Sequence, residues 1–465
     1  MSRLVVVSNR VANPQKPAAG GLAVAVRESL RETGGIWFGW SGRQQEDAPE
    51  EKTGAKVTVQ TVGNVQLVTA DLSREEYENY YLGYANNVLW PVFHYRLDLA
   101  RFDERFADAY RRVNRKFAHA LHEQLKPDDV IWVHDYHLIP LAAELRALGC
   151  DNPIGFFLHI PLPPPQVLAA IPEHASLVQS LFAYDLVGFQ TESDVTHFAH
   201  YLEAETHAER LSEGKFRGFG RIASVAAFPI GIDIEEFSKL VRSREGMDMF
   251  ERMRKEYSRR QLLVGVDRLD YSKGLPQRLQ AFRRLLETHE ENRDRATLIQ
   301  IAAPSREALD AYDDLRCEMD SLCGAINSDY GELDWMPVRY IHRSVARKRL
   351  PGLYRASRVA LVTPLRDGMN LVAKEYLAAQ DPTDPGVLVL SRFAGAAEQL
   401  KEAVLVNPYD TQEMAEAIQR ALTMPIEERV ERHASLMATI RRYDVHWWRK
   451  RFLDELKHAV EPLPA

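Results

Sequence analysis

Short apolar, β-branched runs alternate with longer amphipathic segments along most of this chain, which is the pattern of a parallel α/β sheet. Such runs at 4–8, 65–71, 130–134, 154–159, 186–190 and 224–229 predict strands in the first half, and 35–40 and 57–62 predict two more. In the second half the predicted strands fall at 262–266, 297–302, 338–342, 359–363, 387–391 and 404–407. Two sets of about six strands predict two doubly wound domains rather than one large sheet. The boundary is expected near Phe228-Pro-Ile-Gly-Ile-Asp233, where a strand runs into a Pro/Gly turn ahead of a long charged helix. The expected domains are therefore 1–229 and 230–442. An aromatic amphipathic segment from Val445 to Lys457 predicts a closing helix, within 443–465, that packs back on the first domain through Trp447 and Trp448.

The stretch Thr363-Pro-Leu-Arg-Asp-Gly-Met-Asn-Leu-Val-Ala-Lys-Glu-Tyr376 reads as the end of a buried strand, a loop and a helix. Leu371, Val372, Tyr376 and Leu377 form an apolar stripe at helical spacing, and Pro382 follows the helix end. The loop carries a cation (Arg366), a carboxylate (Asp367) and a glycine (Gly368). Backbone N–H groups at such a helix start suit a phosphate or an oxygen-rich sugar. Glu375, in the second turn, is placed to hold two vicinal hydroxyls. The competing reading is a plain turn with solvated charges.

Composition narrows the function classes. At 465 residues the chain exceeds one ordinary core, and its 45% hydrophobic and 27% charged content is that of a globular protein. A formal charge of -7 argues against a nucleic-acid partner but leaves room for local basic pockets. Three cysteines without a CxxC pair suggest neither a disulfide framework nor a zinc site. No apolar run approaches the roughly 18 residues of a membrane span. The first strand is cut by Ser8-Asn9-Arg10 and is not read as a signal peptide. A cytoplasmic enzyme is expected, with no membrane partner.

In open α/β sheets, ligands bind beyond the carboxyl ends of the strands. Here those ends carry Ser8-Asn9-Arg10, His134-Asp135-Tyr136-His137, His159 and Gln190-Thr-Glu192 in the first half. Asp267-Arg268-Leu-Asp270-Tyr-Ser-Lys273-Gly274, Pro304-Ser-Arg306 and Arg366-Asp367-Gly368 follow in the second. Arg268 and Lys273 form either a fork for a diphosphate or a surface ion-pair set. Gly20-Gly21 opens a helix where backbone can approach a phosphate or sugar, or marks a plain turn. Residues 11–19, with Asn13, Pro14 and Pro17, read as a loop able to close over a substrate. His134 and His137 have no partner cluster for a metal, so none is expected, and Asp135 reads as a carboxylate aimed at a hydroxyl. Tyr80, Tyr81 and Trp90 either stack on a sugar ring or pack as core. No G-x-x-x-x-G-K-S/T, no G-x-G-x-x-G after a strand and no G-x-S-x-G occurs, which disfavours P-loop kinases, nicotinamide dehydrogenases and serine hydrolases.

Arg10, Gly20-Gly21, Tyr81 with Trp90, His134-Asp-Tyr-His137, Phe156-Phe-Leu-His-Ile-Pro161, Asp267-Arg-Leu-Asp-Tyr-Ser-Lys-Gly274 and Arg366-Asp-Gly-Met-Asn-Leu-Val-Ala-Lys-Glu375 together resemble the trehalose-6-phosphate synthase family. That resemblance implies a UDP-forming, retaining glycosyltransferase with two Rossmann-like (GT-B) domains facing each other across a deep cleft. The N-terminal domain would bind the acceptor and the C-terminal domain the nucleotide sugar. It implies transfer of glucose from UDP-α-glucose to glucose 6-phosphate, giving α,α-trehalose 6-phosphate and UDP, the first step of trehalose biosynthesis. UDP-glucose is then a substrate, and no tightly bound cofactor is expected. Carried over by residue, Arg268 and Lys273 hold the donor diphosphate, with Gly21 and the backbone of Met369, Asn370 and Leu371 lining the same site. Glu375 binds the ribose hydroxyls, Asp367 the hydroxyls of the transferred glucose, and His159 lies against that ring. Arg10, Tyr81 and Arg306 receive the acceptor phosphate, and Trp90 and Asp135 lie against its sugar. The catalytic set is therefore expected to be Asp135, His159, Arg268, Lys273 and Asp367. The stretch 338–347 is expected near the nucleotide base, and the protein is expected to be a homo-oligomer. Two alternatives stand beside this: a pyridoxal-phosphate-dependent phosphorylase with Lys374 as its Schiff-base residue, and a sugar-phosphate sensor without turnover.

Overall fold

The computed structural model describes residues 2–12, 30, 33–45, 57–306 and 308–460. The chain divides into two compact units, Met1–Pro229 with Trp448–Ala465, and Ile230–Trp447.

Among the described residues the first unit holds a sheet of ten strands. These are β1 (Leu4–Arg10), β2 (Gly35–Gln45), β3 (Val57–Val62), β4 (Val65–Ser73), β5 (Val130–His134), β6 (Ile154–Phe157), β7 (Leu186–Phe189), β8 (Glu209–Ser212), β9 (Lys215–Gly218) and β10 (Arg221–Ala227). Their order is β3-β4-β2-β1-β5-β6-β7-β10-β9-β8. The seven central strands are parallel, and β3 and the β8/β9 hairpin pair antiparallel at the two edges. Val5, Val6 and Val7 are fully buried, as a central parallel strand covered on both faces requires.

The second unit holds β11 (Gln261–Arg268), β12 (Ala296–Ala303), β13 (Val338–Ile341), β14 (Val359–Val362), β15 (Val387–Ser391) and β16 (Val404–Val406). All neighbours are parallel, in the order β13-β12-β11-β14-β15-β16. Every strand predicted from an apolar run is present, and the fold is the expected α/β pair of doubly wound sheets. The β8/β9 hairpin was not predicted, because Phe216 is its one buried residue and no alternation marks it.

Each sheet reverses its winding once: β1 lies between β2 and β5, and β11 lies between β12 and β14. At such a reversal the two flanking connections leave on opposite faces and a crevice opens at the carboxyl ends of the strands. The residues that follow β1 and β5, and those that follow β11 and β14, are therefore the ones the topology offers for ligand binding. The closing helix Val445–Ala459 buries Val445, Trp448, Phe452 and Leu456, a stripe at three- and four-residue spacing. Trp448 and Phe452 count with the first unit and lie 4.7 Å from the Trp132 ring of β5. Trp447 packs edge-on against Tyr443.

Candidate active site

At the end of β1 the register against β2 shifts after Val7. Arg10 then lies with its guanidinium carbon 5.7 Å from the centre of the Trp40 ring. Gly42 adopts φ +86°, and a Cβ there would come within 2.6 Å of Arg10 Nη2, so only glycine leaves the guanidinium this place. Tyr81 comes from the widely wound helix Tyr77–Leu89, whose end is marked by the i→i−5 bond from Trp90 N to Ala85 O. Its ring stacks on His137 at 6.0 Å and on Tyr77 at 5.5 Å, and meets Trp40 at 5.5 Å. Arg10 and Tyr81 thus share Trp40 as a common wall. Trp90 packs on His94 and Tyr136 and is 5% exposed, so little of its ring remains for a ligand.

After β5, Asp135 takes φ +78°, unusual for a residue with a side chain. The turn is fixed by Asp135 N donating to Phe157 O at 2.8 Å and by its Oδ1 accepting from His159 N at 3.2 Å. His134 Nδ1 lies 3.1 Å from His159 Nε2. Burial pushes the His159 imidazole down to about 3 and the His134 imidazole well below its usual range. At neutral pH the pair is uncharged, so His159 offers a hydrogen-bonding ring and not a cation.

The second unit gathers more of the expected set. Asp270 caps the short turn Tyr271–Lys273, and Gly274 at φ +62° turns the chain into the helix Leu275–Thr288. A Cβ on Gly274 would stand 2.5 Å from Thr363 O, at the end of β14. The two loops are joined there, with Leu365 N donating to Ser272 O at 2.8 Å. Lys273 Nζ donates to Asp367 Oδ2 at 2.6 Å, with both side chains largely shielded. Asn370 Nδ2 donates to the same oxygen at 3.0 Å from a left-handed backbone, φ +73°. The lysine has three protons and Asp367 takes one, leaving an ammonium able to face an anion.

Arg268 is half exposed, with Nη1 donating to Ser305 Oγ at 3.3 Å. Arg306 donates from Nη1 to Asp270 Oδ2 at 2.8 Å and to Tyr312 OH at 2.9 Å. Met369 is buried, and its carbonyl accepts from Ala396 N at 2.9 Å, which fixes the loop just before the helix Leu371–Ala379 starts. Glu375 sits in the second turn of that helix. Burial raises its carboxyl to about 7, and Arg347 partly offsets this. Among the described residues no hydrogen bond or ion pair engages that carboxyl, which leaves its oxygens for hydroxyl donors. Arg347, in the expected base-side stretch, acts on Glu375 through its charge, and its Nη1 lies 3.4 Å from Glu236 Oε1.

The geometry corrects one alternative. Lys374 is buried, and its ammonium is taken up by Ile230 O and Gln399 Oε1 at 2.7 Å each, so it is not placed as a Schiff-base residue. Gly20, Gly21 and residues 13–19 lie outside the described residues. Among the described residues no group of three His, Cys, Asp or Glu side chains could hold a metal ion, and no helix is long and apolar enough to cross a membrane. Sequence reasoning missed Arg278. Its buried guanidinium donates to Asp267 Oδ2 at 2.6 Å, Gln300 Oε1 at 3.0 Å, Thr363 Oγ1 at 3.0 Å and Lys273 O at 3.4 Å. It joins the ends of β11 and β14 through four partners. The one signal in the sequence was Gln300, a polar residue in the middle of a mostly apolar strand.

Known proteins resemble this chain along nearly its whole length. The pattern of glycosyltransferase family 20 matches residues 3–458. The trehalose-6-phosphate synthase of Sinorhizobium fredii is 50% identical over 461 residues, covering 98% of each chain. Among solved structures, an α,α-trehalose-phosphate synthase (UDP-forming) from Burkholderia xenovorans in complex with glucose-6-phosphate is 47% identical, with a TM-score of 0.93 over 98% of this chain and 100% of that one. A structure from E. coli bound with UDP-2-fluoro glucose is 44% identical, with a TM-score of 0.93 over 100% of both chains. Likeness over nearly the whole chain allows one assignment: the chain belongs to glycosyltransferase family 20.

Proposed function

We propose that this protein transfers glucose from UDP-α-glucose to the anomeric hydroxyl of glucose 6-phosphate with retention, releasing UDP and α,α-trehalose 6-phosphate. The observation that carries the reading is the meeting of Lys273, Asp367 and Asn370 at the winding reversal of the second sheet, in a chain 47% identical to a UDP-forming synthase solved with glucose-6-phosphate. Lys273 and Arg268 receive the donor diphosphate, Glu375 takes the ribose hydroxyls, and Asp367 the hydroxyls of the transferred glucose. Met369, Asn370 and Leu371 contribute backbone, and His159 lies against the sugar as a neutral ring. Arg10, Tyr81 and Arg306 receive the acceptor phosphate, Asp135 borders its sugar, and Trp90 does so only through the small part of its ring that stays exposed. The first unit serves mainly the acceptor and the second mainly the nucleotide sugar, with Arg306 of the second unit on the acceptor phosphate and His159 of the first against the transferred glucose. The enzyme works without a tightly bound cofactor, as a cytoplasmic homo-oligomer.

In the step we infer, the bond from the glucose anomeric carbon to the β-phosphate oxygen breaks. The acceptor oxygen bonds to that carbon on the same face, and its proton passes to the departing phosphate oxygen. Retention by double displacement needs a carboxylate beside the anomeric carbon. Asp367, the nearest carboxylate to Lys273, is already engaged by Lys273 and Asn370. Catalysis then rests on fixed cations that stabilise charge as it develops on the diphosphate. To test the reading, UDP-, ADP- and GDP-glucose are each supplied with glucose 6-phosphate, and nucleotide release and the disaccharide are measured. UDP release matched by α,α-linked trehalose 6-phosphate is expected; nucleotide release with free glucose as the product would refute it.

A further inference from the structure

Asp270 holds together two guanidiniums to which the proposed reaction gives different substrates. Its Oδ1 accepts from Ser272 N at 3.0 Å and from Ser272 Oγ at 2.9 Å, fixing the turn that carries Lys273. Its Oδ2 accepts from Arg306 Nη1 at 2.8 Å and lies 3.6 Å from Arg268 Nη2. Tyr312 OH, which accepts from Arg306 Nη1, reaches the same Oδ2 at 3.4 Å. The Asp270 side chain has 0% exposure, so it touches neither substrate. A carboxylate so deeply buried persists only where its charge and lone pairs are answered. Here one oxygen answers a backbone turn and the other answers two cations. Arg306 holds φ +49°, an unfavourable backbone for a residue with a side chain, and its anchored guanidinium helps to fix that conformation.

We propose that Asp270 is a positioning residue that sets Arg268, Arg306 and Lys273 at fixed spacing, so that the donor diphosphate and the acceptor phosphate are received in register. The proposal rests on the assignment of Arg268 to the donor and Arg306 to the acceptor made above. Asp270→Asn keeps the side chain's shape and an oxygen for the turn while removing the charge that gathers both guanidiniums. Each substrate then meets a cation no longer held in place.

The experiment is initial-rate kinetics with each substrate varied at saturation of the other, on wild type, Asp270→Asn, Tyr312→Phe, Arg306→Ala and Arg268→Ala. Loss of one buried charged partner predicts a rise of about tenfold in KM for both UDP-glucose and glucose 6-phosphate in Asp270→Asn. Tyr312→Phe removes a neutral partner of Arg306 and its longer 3.4 Å contact to Asp270, and should raise KM for glucose 6-phosphate by about fivefold while changing the donor KM less. A merely structural role would reduce the active fraction, lowering kcat with both KM values unmoved, and that result overturns the proposal. So does a rise in only one KM for Asp270→Asn. Should Asp270→Asn fail to fold, Tyr312→Phe decides, and an unchanged KM for glucose 6-phosphate sinks the idea. If Arg306→Ala leaves the acceptor KM, or Arg268→Ala the donor kinetics, at wild-type values, the underlying assignment has failed and Asp270 loses its role with it.

Discussion

Glu375 offers a quantitative test through pH. Burial raises its carboxyl to about 7, so in the free enzyme it changes charge across the neutral range. A pair of ribose hydroxyls is held best by the ionised form, and two donated hydrogen bonds would draw the bound-state value back toward the ordinary carboxylate range. Affinity then follows the ionised fraction of the free enzyme, which falls from about nine-tenths at pH 8 to about one-tenth at pH 6. Binding of UDP-glucose, whose diphosphate does not titrate in this interval, should weaken about tenfold between those pH values, about 1.4 kcal/mol. The complex should release protons on forming near pH 7. Isothermal calorimetry in two buffers of different ionisation enthalpy reads both the constant and the protons. Glu375→Gln should bind more weakly and lose the slope. Lys374, which burial brings to about 7 beside it, is intact in that variant, so any slope it causes would remain visible. A flat wild-type profile, or an unchanged slope in Glu375→Gln, would refute the role given to this carboxyl.

Three further outcomes are expected. Arg10→Ala should raise KM for glucose 6-phosphate more than for UDP-glucose in initial-rate assays, and equal effects on both would contradict its place on the acceptor phosphate. Arg268→Ala and Lys273→Ala should each remove about 3 kcal/mol of transition-state stabilisation, read in kcat/KM for UDP-glucose through both a lower kcat and a higher donor KM, whereas wild-type donor kinetics in both would end that role. Arg278→Leu strips the buried Asp267 carboxylate of its cation and should cost about 3–5 kcal/mol in denaturant unfolding. Adding Asp267→Asn should recover part of that loss, and a single variant as stable as wild type would show that the pair is not needed.

Much of this protein was legible in its sequence, because a parallel strand covered on both faces must be a run of apolar, β-branched residues and loops beyond its end need not be. The runs at 130–134 and 387–391 coincide with β5 and β15, and the loop at Arg366, Asp367 and Gly368 follows β14 as predicted. The polar hairpin of β8 and β9 left no such mark, since a strand pair that buries a single residue, Phe216, has no period to read. What the sequence could not supply was which strand ends become neighbours. Lys273 and Asp367 are 94 positions apart, and their contact follows only from β14 lying beside β11. The four partners of Arg278 are brought together by the same adjacency. The carboxyl of Glu375 moves to about 7 because of what surrounds it, and a residue's neighbours in space are set by the winding of the sheet, not by its neighbours along the chain.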